Sequence, residues 1–374
     1  MDLSRRKFFS SSAAVGVAAL AGTFIPETLS ALQEPARAAS PGGPILLNSN
    51  ENAYGPWPEL MEKMRASLAR MNRYPDGETA VLRNRIAALH RVGPEQVLLG
   101  CGSTELLKVC ADAFLQPGSA LVQPSPTFEV VAYYARANGA AVKSVPLDAH
   151  FSHDLPNMLT AADGRPPGLV YICNPNNPTA SITPRKAIEE FLSKLAPETH
   201  VLIDEAYHHF AGGEAEYVSF LDKPVDDERV IVTRTFSKIF GLAGMRLGYA
   251  IAKRETTDQL KKFMLEDNLN MMSVMTGPEA LEDMDALARA IRRNDNDRAQ
   301  FMAEAKKRNV KAIPSFANFV MIDTGRPVKE TIDYYRSNAV LIGRPFPPLD
   351  TYARISLGTP GEMKTFWQLW DARK

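Results

Sequence analysis

A succession of short, continuously apolar runs constrains this chain more than any other feature. QVLLG (Gln96–Gly100), SALVQP, AAVKSVPL, GLVYICN, HVLIDEA, RVIVTRT and LGYAIA follow one another through the middle of the sequence. Without polar alternation, such runs read as strands covered on both faces. Helical patterns fall between several of them, at Ser103 to Leu115, with Glu105 in its first turn, and at Pro184 to Leu195. The sequence therefore predicts an α/β protein built on a large, mostly parallel sheet. Open sheets of this kind bind ligands beyond the carboxyl ends of their strands, so the residues that follow each run are the candidates for chemistry.

The texture changes after Ala252. A charged helical stretch (Glu255–Glu266) leads to the Met-rich segment Asn270–Met275, a second charged helix runs from Pro278 to about Arg308, and SFANFVMID and RISLG read as strands. This predicts a large domain over residues 71–252 and a smaller α+β domain over 253–374, with 39–70 joining the small domain. Residues 1–38 read as an address. Ser4-Arg5-Arg6-Lys7-Phe8-Phe9 precedes a small-residue apolar stretch too short to span a bilayer, and Ala36-Arg37-Ala38 offers a cleavage site. The paired arginines resemble a twin-arginine export signal. The mature protein is then expected in the periplasm, or in the cytoplasm if the signal is not used.

Composition narrows the partners. Forty-three Lys and Arg balance 43 Asp and Glu, so there is no basic excess to attract nucleic acid. No later segment has the apolar length of a membrane span. Cys101, Cys110 and Cys173 lie in or beside apolar runs without ligand spacing, and the six histidines form no HExxH pattern. Buried free thiols and no metal are expected.

Polar groups cluster at the ends of the apolar runs. Gly100-Cys101-Gly102-Ser103-Thr104 joins a strand to a helix start, a geometry suited to phosphate. Asn174-Pro175-Asn176-Asn177-Pro178-Thr179 follows LVYIC, and Asp204 closes VLID ahead of Glu205-Ala206-Tyr207. A carboxylate facing a cleft there needs a partner. Arg234-Thr235-Phe236-Ser237-Lys238 closes the next run, followed by Gly241-Leu242-Ala243-Gly244-Met245-Arg246.

This order resembles the class I and II aminotransferases of fold type I, which depend on pyridoxal phosphate. LNSNENAYGP (Leu47–Pro56) and Arg73-Tyr74-Pro75-Asp76 narrow the resemblance toward histidinol-phosphate aminotransferases, over essentially the whole mature chain. It implies that Lys238 carries the cofactor and moves the substrate proton, that Asp204 pairs with the ring nitrogen, and that Tyr207 and Asn177 bond the ring hydroxyl. Gly102, Ser103, Thr104, Thr235, Ser237 and Arg246 would hold the phosphate. Phe128 would stack on the ring, with a role as a core aromatic equally open. Tyr74 would reach the phosphate of a neighbouring subunit, implying a homodimer with shared sites. Arg354 matches the position that grips the substrate's acid group, with Arg344 a second candidate and Tyr54 a further lining residue.

His208 and His209 match no role and are read as structural. One departure is Ala180, which stands where the family often has glycine. The partners expected are a small amino donor and a 2-oxo acid acceptor. A lyase on the same scaffold, resembling threonine-phosphate decarboxylase, stays open because cofactor motifs do not report which substrate bond breaks. A binding protein without catalysis is disfavoured by intact Lys238, Asp204 and Arg246.

Overall fold

A computed structural model describes residues 43–163, 168–224 and 226–373. The export signal expected over 1–38 lies outside the described residues. After a short strand β1 (Ile45–Leu47), the apolar runs form β2 (Val97–Cys101), β3 (Ala120–Ser125), β4 (Ala141–Pro146), β5 (Leu169–Cys173), β6 (His200–Asp204), β7 (Val230–Thr235) and β8 (Leu247–Ile251). Strands β2 to β8 make one sheet in the order β2-β8-β7-β6-β5-β3-β4. Only β8 runs against the direction of the other six.

Strand periodicity sorts the core into two layers. Val170 and Ile172, Val201 and Ile203, and Val230 and Val232 enter one buried cluster. Leu169, Tyr171 and Cys173, with Leu202 and Ile231, enter the other, together with Leu106, Leu107 and Cys110 of the helix Ser103–Phe114. Covering on both faces is why these strands carry no polar alternation.

The carboxyl-terminal part adds β9 (Phe319–Asp323), β10 (Val340–Ile342) and β11 (Tyr352–Ser356). β9 pairs antiparallel with β11, and β10 pairs parallel with β1. Leu47, Phe301, Val320, Ile355, Phe366 and Trp367 share the core beneath them.

Three expectations are corrected. The Met-rich segment opens a helix, Met271–Glu282, which holds Pro278 in its interior. Asn270 Oδ1 accepts from Ser273 N at 2.8 Å and so starts the helix well before the proline. The long charged helix begins only at Met284, where Asp283 accepts from Ala286 N and separates the two. The stretch expected helical over Glu255–Glu266 is α-helical over Arg254–Leu260 and tightens into a 3₁₀ turn, Lys261–Phe263. Among the thiols, Cys110 and Cys173 are buried as expected, but Cys101 is exposed because it ends β2 where the covering layer stops.

Candidate active site

One edge of the sheet gathers the motifs. Gly102 follows β2, Asn174 to Asn177 follow β5, Asp204 ends β6, and Ser237 and Lys238 follow β7. Arg246 reaches the same edge because β8 is antiparallel and begins there.

Asp204 is buried and held by neutral donors. Tyr171 OH donates to Oδ2 at 3.0 Å, while Thr233 Oγ1 and Ala206 N donate to Oδ1 at 3.3 and 3.1 Å. Burial raises its pKa from 3.8 to about 6 despite these bonds. Among the described residues no Lys or Arg is bonded to this carboxylate, so it is a buried acid without a bonded counter-cation.

Opposite charge is stored nearby. Gly102, at φ +74°, leads into the helix Ser103–Phe114, and a Cβ there would collide with the Arg246 guanidinium. A Cβ at Gly248 would strike Ser103 N, so that glycine lets β8 close on the helix start. Thr235 Oγ1 donates to Ser237 Oγ at 2.9 Å, and Ser237 N donates back to Thr235 Oγ1. Arg246 Nη1 donates to the carbonyl of Ala243. These groups form a cradle of hydroxyls, a helix N-terminus and one cation, which is the chemistry that holds a phosphate.

Lys238 Nζ is 3.5 Å from the carbonyl of Ser49 and 5.6 Å from the Tyr207 ring centroid. Desolvation first, then the Arg354 charge, lowers its pKa to about 8, with Glu51 opposing the fall. Tyr207 is buried, its hydroxyl accepting from Asn50 Nδ2 at 3.0 Å, and burial raises its pKa. Arg354, 8% exposed, donates to Asn177 Oδ1 at 2.7 Å and to the carbonyl of Asn48 at 2.6 Å, and its Nε has no partner. Burial lowers its pKa to about 10, so it stays a cation at neutral pH. It is thus a buried charge with only neutral ligands, which a bound carboxylate or phosphate would neutralise.

A model of the family described as aminotransferase class I and II matches residues 43–368. The chain belongs to that family. A histidinol-phosphate aminotransferase of Symbiobacterium thermophilum is 34% identical over 324 residues, 86% of this chain and 88% of that one. Histidinol-phosphate aminotransferase 2 of Pseudomonas aeruginosa is 36% identical over 330 residues, 88% of each chain. The crystal structure of histidinol-phosphate aminotransferase from Sinorhizobium meliloti, in complex with pyridoxal 5′-phosphate, superimposes with a TM-score of 0.81 at 26% identity, covering 88% of this chain and 89% of that one.

This aminotransferase is pyridoxal-phosphate dependent. Its residues fit that group: Asp204 has no bonded cation among the described residues and can face a ring nitrogen, and the Gly102–Arg246 cradle offers donors and one cation to a phosphate.

Other expected residues lie at different distances from the centre. Phe128 is partly buried against the second core cluster. Tyr74 is 75% exposed. Tyr54 OH donates to Asp297 at 3.0 Å and its ring lies under Arg293, on the wall of a small cavity that also includes Glu51 and Ile239. Arg344 donates to Glu129.

Several contributors escaped the sequence reading. Tyr171 was visible as a tyrosine inside an otherwise apolar buried strand, where its hydroxyl needs a partner. Asn50 and Asn48 lie in the quoted LNSNENAYGP segment, but nothing local assigns their contacts. Glu129 carries no sequence signal of its own.

Proposed function

We propose that this aminotransferase moves an amino group from an amino acid or related amine to a 2-oxo acid, working as an exported homodimer of histidinol-phosphate aminotransferase architecture. The observation that carries the substrate side of this reading is Arg354, a buried guanidinium in reach of neutral oxygens only. It suits the acid group common to amino acids and 2-oxo acids.

Bound pyridoxal phosphate supplies the electron sink for the charge left when a proton departs from the substrate's α-carbon. Lys238 would hold that cofactor and carry the proton. A pKa near 8 leaves part of its amine neutral at physiological pH, as a base requires. Asp204 would supply the fixed negative charge for the ring nitrogen, in a pocket kept dry by the core around Tyr171. Tyr207 and Asn177 would bond the ring hydroxyl. Asn177 Oδ1 is taken by Arg354, which leaves its Nδ2 as the donor. Gly102, Ser103, Thr104, Thr235, Ser237 and Arg246 would hold the phosphate, and Phe128 would stack on the ring.

Dimerisation rests on Tyr74, an exposed tyrosine beside Arg73 and Pro75, which would complete the phosphate site of the partner. Export rests on the Arg5-Arg6 pair. An exported enzyme points to a physiological substrate other than histidinol phosphate, since histidine synthesis is cytoplasmic.

The holoenzyme's visible spectrum tests the reaction. Amino donors added without acceptor should bleach the cofactor band and yield stoichiometric 2-oxo acid. Carbon dioxide release in place of 2-oxo acid would overturn the reading. Loss of reporter export on changing Arg5 and Arg6 to Lys tests the address, and unchanged export would refute it.

A further inference from the structure

Two guanidinium groups share one aromatic ring beside the site. The Cζ atoms of Arg344 and Arg354 lie 4.3 and 4.7 Å from the Phe346 centroid. They are held differently. Arg354 is buried among neutral oxygens, whereas Arg344 donates to the carbonyl of Pro345 at 2.9 Å and to Glu129 Oε2 at 2.5 Å. Glu129 comes from the segment after β3 and directly follows Phe128, so the ion pair links the large-sheet side of the cleft to the carboxyl-terminal side. The pair is partly in water, with the Arg344 side chain 30% and the Glu129 side chain 45% exposed.

We propose that Glu129 is a specificity-determining residue: its carboxylate occupies, at Arg344, the place of a substrate's second acidic group. A substrate with two acids must displace it, while a substrate with one leaves it in place. This rests on the reading in which Arg354 takes the first acid. With Glu129 engaged, two guanidinium groups and one carboxylate leave a single net positive charge, matched to one acid. With Glu129 withdrawn, two positive charges remain, matched to a dicarboxylate or a phosphorylated acid.

Two features make the exchange feasible. A half-exposed ion pair is weak, because water and salt compete for both partners. The Phe346 ring supports the Arg344 guanidinium by stacking, so the cation keeps its position when its partner leaves. Amino transfer between unlike partners asks one site to accept both monoacids and diacids, and a built-in replaceable carboxylate meets that demand.

The test is Glu129→Gln holoenzyme, assayed with glutamate and O-phosphoserine against alanine and leucine. The ratio of kcat/KM for two-acid donors over one-acid donors should rise roughly two- to fivefold, the scale of a partly exposed ion pair, and should do so through KM. Succinate, which has two carboxylates and no amino group, should bind the variant holoenzyme more tightly by a similar factor, and butyrate should not. In an Arg344→Gln background, Glu129→Gln should no longer change the ratio. An unchanged or falling ratio, or unchanged succinate affinity, would mean that Glu129 positions Arg344 instead of competing for it, and would overturn the proposal. If wild-type holoenzyme converts no donor, the transamination reading fails separately, and the succinate titration still decides the role of Glu129.

Discussion

At the carboxyl edge of the large sheet, the face carrying Asp204 and the face carrying Glu205 handle a buried charge differently. The two residues are adjacent in sequence and both are 2% exposed. Glu205 accepts from Ser219 Oγ at 2.6 Å, from Phe220 N at 2.7 Å and from Arg234 at 3.0 Å. Asp204 meets only a phenol, a threonine hydroxyl and an amide. Strand alternation sends Arg234 to the side of Glu205, and Thr233 and Tyr171 to the side of Asp204.

The arginines repeat the division. Arg234 is paired with Glu205 and bonded to Ser219, and Arg185 is bonded to Glu189 and three carbonyls, whereas Arg246 and Arg354 meet no carboxylate among the described residues. In one set the polar groups are saturated and support the fold. In the other, complementary charges are held apart and unmatched, which is how a site binds a ligand with charges of its own.

The largest effect should come from Lys238→Ala, among the unmatched charges. Turnover should fall by at least roughly 10³-fold, the scale of a lost acid–base group, with the visible cofactor band changed and the fold retained by circular dichroism. Turnover within tenfold of wild type would remove Lys238 from the centre of the site.

Glu205→Gln probes the saturated set. Leaving buried Arg234 with only the exposed Asp222 at 3.5 Å should cost up to about 3 kcal/mol in urea unfolding. A loss below about 1 kcal/mol would erase the distinction between the sets. Arg354→Gln should lower kcat/KM by roughly 10²-fold, since bonds between a guanidinium and a substrate acid contribute about 1.5–3 kcal/mol each. Unlike Glu205→Gln, it should leave the unfolding midpoint unchanged or raise it.

Asp204→Asn sharpens the contrast through pH. The folded pKa, near 6, lies above the ordinary 3.8. Protonation therefore favours the folded state: the Asp204 contribution is fully present below about pH 4 and is lost as pH rises through 6. In cofactor-free protein the asparagine variant should lack this decline, which amounts to about 3 kcal/mol by pH 8, and should exceed wild type there. The same change should weaken cofactor binding. Identical pH profiles for the two proteins would refute the assignment.

The smallest effect concerns the turn that presents Asn177. Ala180 is buried at φ +58°, a left-handed conformation that glycine adopts without strain. Ala180→Gly should stabilise the protein by roughly 0.5 kcal/mol, the relief of strain slightly exceeding the added chain entropy. A lower melting temperature would show that the methyl's packing outweighs the strain.

The layered sheet and the polar residues along its edge are written in local sequence. Continuous apolar runs report two-sided burial, and the residue after each run is placed by the strand before it, which is why Asp204, Lys238 and the Gly102 turn were legible. A local period is carried by the covalent chain and needs no knowledge of what packs against it. The sequence did not reveal that Pro278 sits inside a helix, because a capping asparagine upstream outweighed the proline signal. It did not reveal that Cys101 is exposed, because exposure depends on where the covering layer ends. Which charges are matched depends on long-range packing. Asn48 reaches Arg354 across 306 positions and Glu129 reaches Arg344 across 215. No local pattern encodes such partners, because they are chosen when distant loops return to the same edge. Whether a buried charge is matched or left waiting for a ligand is settled there.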